Sequence, residues 1–333
     1  MRRPAIVTAM SLAALVAAPS LAHAQLLGPP SAPPPKAAPA PQGGRADVAL
    51  EGGMGTRRAD YFLSGQTVTV RGSVAPFVPG QVVTVALRRG RRATAVKRVA
   101  VTRSSRGRGR FATRFRVRRR GTLRAVVAHT ATPQQAAFAA ASKRLIVARF
   151  AAGPGSRGIK VRLLQRGLRR LGFAVPVSGG YGGGTARAVL AYRKTNNMRR
   201  TTGASAKIFS RVFRRRGGFR ARFPGAGYHV EFDWSRQVLA FLRGGRPVAV
   251  YHSSSGAPAT PTVFGRFRFY RKQPGTNSKG MVHSNYFIRG YAIHGYKSVP
   301  TYPASHGCLR VPIANAKAID GRIRLGQTIF VYR

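Results

Sequence analysis

The 333-residue chain carries 59 lysines and arginines against 6 aspartates and glutamates, a formal net charge of +53. Hydrophobic residues still make up 44%, which excludes a disordered polycation and leaves a folded basic protein with packed cores. A single cysteine excludes a disulfide-stapled fold, and the charge attracts polyanions: nucleic acid, anionic lipid headgroups, or phosphate- and carboxylate-bearing polymers.

Arg2 and Arg3 precede an apolar run from Ala5 to Ala18, and Ala22-His23-Ala24 supplies the small-x-small pattern of a signal-peptidase site. Residues 1–24 therefore read as a signal peptide whose removal leaves Gln25 first. The run is shorter than the ~20 apolar residues of a membrane-spanning helix, so no transmembrane span is expected after cleavage. Residues 25–44, dominated by Pro and Ala from Gly28 to Gln42, read as an extended linker. Over residues 45–150 apolar residues recur at period two: Val68 and Val70; Val83, Val85 and Leu87; Phe111, Phe115 and Val117; Leu123, Ala125 and Val127; Leu145 and Val147. Such runs, separated by Gly-, Arg- and Ser-rich turns, predict an immunoglobulin-like β-sandwich. It holds no catalytic constellation and reads as scaffold or spacer.

The period then changes. Val161, Leu164, Leu168 and Leu171 recur at helical spacing before Gly172; a second helix is expected near Thr185 with Ala188, Val189 and Tyr192 on one face, and a third turns Phe209 and Val212 inward. Leu164-Gln165-Arg166, Leu171-Gly172-Phe173, Gly179-Gly180-Tyr181-Gly182, Thr185, Ala188-Val189 and Thr202-Gly203 resemble the small bacterial peptidoglycan-binding domain, which implies a three-helix domain over 156–215. Ser178 stands where that family usually has Asp, and Tyr192-Arg193 where it has Phe-Gln.

From residue 226 to 333 strands return: His229–Phe232, Val238–Leu242, Pro247–Tyr251, Phe267–Tyr270, Tyr286–Ile288, Tyr291–Ile293 and Thr328–Tyr332, with a short helix near Ile313–Ile319. The segment Lys272–Ser284, rich in Gly, Ser, Asn and Lys, reads as a long mobile loop placed as a lid. The whole chain is thus expected to be multidomain and mainly β.

The lone thiol lies in Ser305-His306-Gly307-Cys308-Leu309-Arg310. A thiolate is stabilised by nearby His or Arg and by clustered backbone N–H groups, and this stretch offers all three, so Cys308 is the candidate nucleophile. His294, closing a predicted strand, and His306 are candidate bases. The N–H groups of His306, Gly307 and Cys308 are candidates for the oxyanion site, and Arg310 for a substrate carboxylate. Ser254-Ser255-Gly256, Thr260-Pro261-Thr262 leading to Gly265, Ala292-Ile293-His294-Gly295, Ser305 to Val311, and Gly326 to Val331 together resemble the L,D-transpeptidase catalytic domain.

That resemblance implies Cys308 as nucleophile and His294 as proton donor and acceptor, with His306 and Gly307 in the oxyanion pocket and Ser305 and Arg310 binding substrate. It implies an exported enzyme of the periplasm or cell wall that cross-links peptidoglycan stem peptides (3→3) through a Cys308 thioester, releasing D-Ala, with no cofactor and no metal. Stem peptides and anionic cell-wall polymers are the expected partners; oligomeric state is left open. Gly295 stands where many relatives have Ser or Thr, so His294 must be oriented by a backbone carbonyl or by nothing local. Water or a protein lysine as acceptor would make it a carboxypeptidase or an anchoring enzyme through the same thioester. Three rivals are weaker. A zinc site from His252, His283, His294, His306 and Cys308 lacks metal-ligand spacing; a non-catalytic wall binder leaves the cysteine motif unused; nucleic-acid binding rests on charge alone.

Overall fold

The computed structural model describes residues 39–105 and 107–333, in a chain that divides into the units Met1–Ala40 and Pro41–Arg333. The signal peptide over 1–24 and the linker up to residue 38 lie outside the described residues. The last linker residues are not free of the fold: Gln42 bridges Gln135, donating to Gln134 O at 3.0 Å and accepting from Ala136 N at 2.9 Å.

Eleven strands follow: β1 (Arg45–Glu51), β2 (Met54–Gly55), β3 (Ala59–Leu63), β4 (Gln66–Ala75), β5 (Val82–Arg89), β6 (Arg92–Ala100), β7 (Thr102–Arg103), β8 (Gly109–Val117), β9 (Gly121–His129), β10 (Phe138–Ala141) and β11 (Arg144–Ala148). One sheet runs β1-β4-β8-β7; the other runs β2-β3-β11-β9-β5-β6 with β10 on β9. Alternation along each strand turns one face inward. Every residue picked out at period two in this region lies in the single core that both sheets contribute to.

Three helices come next, α1 (Ile159–Arg170), α2 (Gly183–Thr195) and α3 (Ala206–Phe213). Fully buried Gln165 ties α1 to the glycine turn before α2: its Oε1 accepts from Gly179 N at 2.8 Å, and its Nε2 donates to Gly180 O at 2.9 Å and Thr185 Oγ1 at 2.8 Å. Ser178 closes the same turn, accepting from Gly180 N at 3.2 Å. Tyr192 and Arg193 are also spent internally, the first donating to Arg216 O at 3.0 Å and the second to Gly203 O at 2.9 and 2.7 Å.

The C-terminal region holds β12 (Tyr228–Asp233), β13 (Val238–Arg243), β14 (Arg246–His252), β15 (Gly265–Arg268), β16 (Arg271–Thr276), β17 (Val282–Ile288), β18 (Tyr291–Tyr296), β19 (Leu309–Pro312), α4 (Ile313–Asp320) and β20 (Thr328–Tyr332). They make two sheets, β14-β13-β12-β20-β15 and β16-β17-β18-β19. Strand β13 is buried on both faces, which is why Val238–Leu242 is apolar throughout instead of alternating. Leu239 and Phe241 face the core shared with Ile293, Leu309 and Val311, while Val238, Ala240 and Leu242 join the core formed by Leu164, Leu168, Val189 and Tyr192. The helices therefore have no separate core: they cover the outer face of the C-terminal sheet. The segment Gly172 to Ala174 also joins this sheet edge, with Val250 N donating to Gly172 O at 2.8 Å and Ala174 N to Val250 O at 3.1 Å.

The expected long loop at Lys272–Ser284 is instead the hairpin β16–β17. Its polar residues build a tight turn, in which Asn277 Oδ1 accepts from Lys279 N at 3.1 Å and Met281 N at 3.0 Å. Composition pointed to a loop because Pro274 and Gly275 sit at an irregularity in the ladder between Gln273 and Thr276, where a strand tolerates them.

Candidate active site

Cys308 immediately precedes β19, whose parallel register on β18 pairs Leu309 with Ile293 and Arg310 with His294. Side chains two residues apart share a face of a sheet, so Leu309 and Ile293 point into the core, while Ala292, His294, Cys308 and Arg310 lie together on the opposite face. Cys308 packs there against Met281, Tyr286 and Ala292. The hairpin turn thus lies beside the thiol, through Met281.

The loop ahead of Cys308 is braced from within and from below. Ser305, 2% exposed, donates through Oγ to Cys308 O at 2.6 Å and accepts from Gly307 N at 3.1 Å. Gly307 has φ +104, and a Cβ there would stand 2.4 Å from the Tyr291 ring, so only glycine fits. Thr262 Oγ1 donates to Gly307 O at 2.7 Å and accepts from Gly256 N at 2.8 Å. Ser255 O accepts from both Ala304 N and Ser305 N at 2.8 Å. The turn is held on every side.

His294 is 3% exposed, and its Nδ1 lies 3.0 Å from Gly295 O. A carbonyl only accepts, so Nδ1 carries the hydrogen and Nε2 keeps the lone pair able to take a proton. Of the two possibilities the sequence left for orienting this ring, the backbone carbonyl is the one observed. Burial lowers the pKa of His294, opposed by the bond to Gly295 and reinforced by the Arg310 charge. Burial raises that of Cys308, against the pull of the Ala292 backbone and of the Arg310 and Lys279 charges. Both shifts favour a neutral resting pair, thiol and imidazole. The thiol itself points at Gly290 O, 3.6 Å away.

The other sequence candidates land less uniformly. Gly307 N–H donates to Ser305 Oγ at 3.1 Å, whereas the N–H groups of His306 and Cys308 have no such side-chain partner among the described residues. The Ser305 hydroxyl bonds within the turn, to Cys308 O and Gly307 N. Arg310 donates to Ala304 O at 3.0 Å and stacks 4.2 Å over the Tyr296 ring, which fixes its guanidinium beside the His294 ring, itself edge-on to Tyr296. His306 is exposed. His252 lies elsewhere, its Nε2 on Val299 O at 2.9 Å and its Nδ1 on Lys194 Nζ at 2.8 Å. Among the described residues no three His, Cys, Asp or Glu side chains gather as metal ligands. Thr262 and Tyr291 were not singled out for these supporting roles, because their contacts with Gly307 span 45 and 16 residues of sequence.

A site of this build, a half-buried thiol and an oriented imidazole on one face of a mainly β domain, is matched over residues 227–331 by the family model of the L,D-transpeptidase catalytic domain (YkuD). A crystal structure of the L,D-transpeptidase from Xylanimonas cellulosilytica is 30% identical, covering 56% of this chain and 98% of that one with a TM-score of 0.51. One from Stackebrandtia nassauensis is 17% identical, covering 55% and 98% with a TM-score of 0.34. No curated protein matches the sequence. The chain belongs to the L,D-transpeptidase family.

Proposed function

We propose that the protein is an exported enzyme that joins peptidoglycan stem peptides by 3→3 cross-links through a thioester on Cys308. The thiol passes its proton to His294 Nε2, and the sulfur attacks the carbonyl of the third stem residue. The C–S bond forms as the C–N bond to the terminal D-Ala breaks, and His294 returns the proton to the departing amine. The side-chain amine of a second stem then attacks the thioester, gives its proton to His294, and restores the thiol. The oxyanion is stabilised by the N–H groups of His306 and Cys308.

The observation that carries this reading is the common sheet face of Cys308 and His294, with Nδ1 held by Gly295 so that Nε2 is the free base. The three helices serve as a peptidoglycan-binding unit, and the net charge of +53 draws the enzyme to anionic wall polymers. Incubating the full chain with a tetrapeptide stem and analysing products by mass tests it. A cross-linked dimer with loss of D-Ala is expected, and none from Cys308→Ala; a dimer formed by Cys308→Ala refutes the thioester, and hydrolysis alone makes water the acceptor.

A further inference from the structure

Lys194 lies on α2 with 1% of its surface exposed, and none of the ion pairs among the described residues includes it. Its Nζ meets three groups outside the helices: Gln237 O at 3.1 Å, His252 Nδ1 at 2.8 Å and Ser253 O at 2.8 Å. Each one leads by a short chain of hydrogen bonds into residues 299–310, the segment that carries Cys308. His252 Nε2 donates to Val299 O at 2.9 Å. Ser253 Oγ donates to Arg310 O at 2.8 Å. The Gln237 side chain accepts from Ser255 N at 2.7 Å and donates to Ser255 Oγ at 2.8 Å, and Ser255 O in turn holds Ala304 and Ser305. Gln237 also has φ +55, a backbone that a residue with a side chain keeps only where its surroundings hold it.

Counting donors fixes the protonation of the pair. Val299 O only accepts, so His252 Nε2 bears a hydrogen. Either Lys194 is an ammonium with three donors and His252 Nδ1 accepts, or Lys194 is an amine accepting from a cationic ring. Both arrangements hold one proton more than the neutral pair, and without it one of the four contacts is lost.

We propose that Lys194 is a positioning residue for acyl transfer: the proton it shares with His252 locks the helices to residues 299–310 and so sets where Cys308 stands relative to His294. The proposal rests on the thioester reading of Cys308. The charges acting on the pair are those of Arg200, which donates to Ser235 O at 3.2 Å and to Thr301 O, and Arg187, bonded to Asn315 Oδ1 at 3.0 Å. Both disfavour the shared proton, as does burial, which lowers Lys194 to about 6 and His252 to about 3. The proton is held in mild acid and lost as pH rises, so positioning weakens on the alkaline side.

Two rates of the full chain test this across about pH 5 to 9: turnover of a tetrapeptide stem and alkylation of Cys308 by iodoacetamide. Lys194→Met is expected to lower kcat about tenfold or more with KM within about twofold, to remove the alkaline decline of turnover, and to leave the alkylation rate following the titration of a single thiol, where the parent falls below such a curve as pH rises. His252→Gln, which leaves Lys194 as the titrating group of the pair, is expected to move the midpoint of the same limb and decides the matter if Lys194→Met does not fold, an unmoved midpoint overturning the proposal. A kcat within about twofold of the parent overturns the proposal. So does a lower rate with an unchanged pH profile, which marks a residue that only holds the fold together. A parent chain with no turnover refutes the thioester reading instead, while its alkylation profile still decides the role of Lys194.

Discussion

Cys308 and His294 are shifted in opposite directions by the same burial, and both shifts favour a neutral thiol and imidazole over an ion pair. As the proposed base, His294 must be unprotonated to act, and burial sets its pKa below the usual value of 6.5, so the rate of Cys308 acylation should climb with pH along an acid limb whose midpoint lies below 6.5. A stopped-flow pH profile with its acid midpoint above that value contradicts the assignment of His294. Replacing the ring by His294→Ala should slow acylation by about 10²–10⁴-fold while Cys308 remains open to alkylation. Gly307→Ala meets both the φ of +104 and the Tyr291 ring, and should cost about 1–3 kcal/mol in denaturant unfolding together with most activity.

Among elements, the braces of the Cys308 loop and the two-faced β13 matter most. Thr262→Val removes a donor from Gly307 O and an acceptor from Gly256 N while keeping the shape, and should destabilise the chain by about 1–3 kcal/mol with a larger fractional loss of turnover than of folded protein. Leu242 is fully buried where β13 meets the helices. Leu242→Ala should cost about 2–5 kcal/mol, and hydrogen exchange should show faster opening of α2. Strand periodicity made most of these elements legible, including β12, β13, β18 and β20. The β16–β17 hairpin was not, because its turn residues and its Pro-Gly irregularity share the composition of a loop. Cys308 and His294 were legible from short motifs; Thr262, Gln237 and Lys194 were not, since each acts through a partner distant in sequence.

For the whole molecule, the six acidic residues are all committed. Asp47 pairs with Arg108, Glu51 with Arg71, Asp60 with Lys143, Glu231 with His229, Asp233 with Arg236 and Asp320 with Lys272. None remains to neutralise the arginines that line the groove at Arg89, Arg92, Arg116 and Arg120, where Arg89 is held on Arg120 O at 2.8 Å. Binding to isolated anionic wall polymer should therefore weaken steeply between about 0.05 and 0.5 M salt, as a pelleting assay would measure. Salt-independent binding would instead assign wall contact to uncharged surfaces.

By itself the sequence singled out the candidate nucleophile and base, the mainly β composition and the basic surface, because a cysteine motif, a period-two pattern and a charge count are local or additive properties. Tertiary structure alone decided that the helices share a core with the C-terminal sheet, that Gly295 O orients His294, that Ser305 Oγ takes up Gly307 N–H, and that a buried lysine faces three acceptors. Each of these depends on which segments meet in space, and burial sets the hydrogen-bond and charge terms only once they have met.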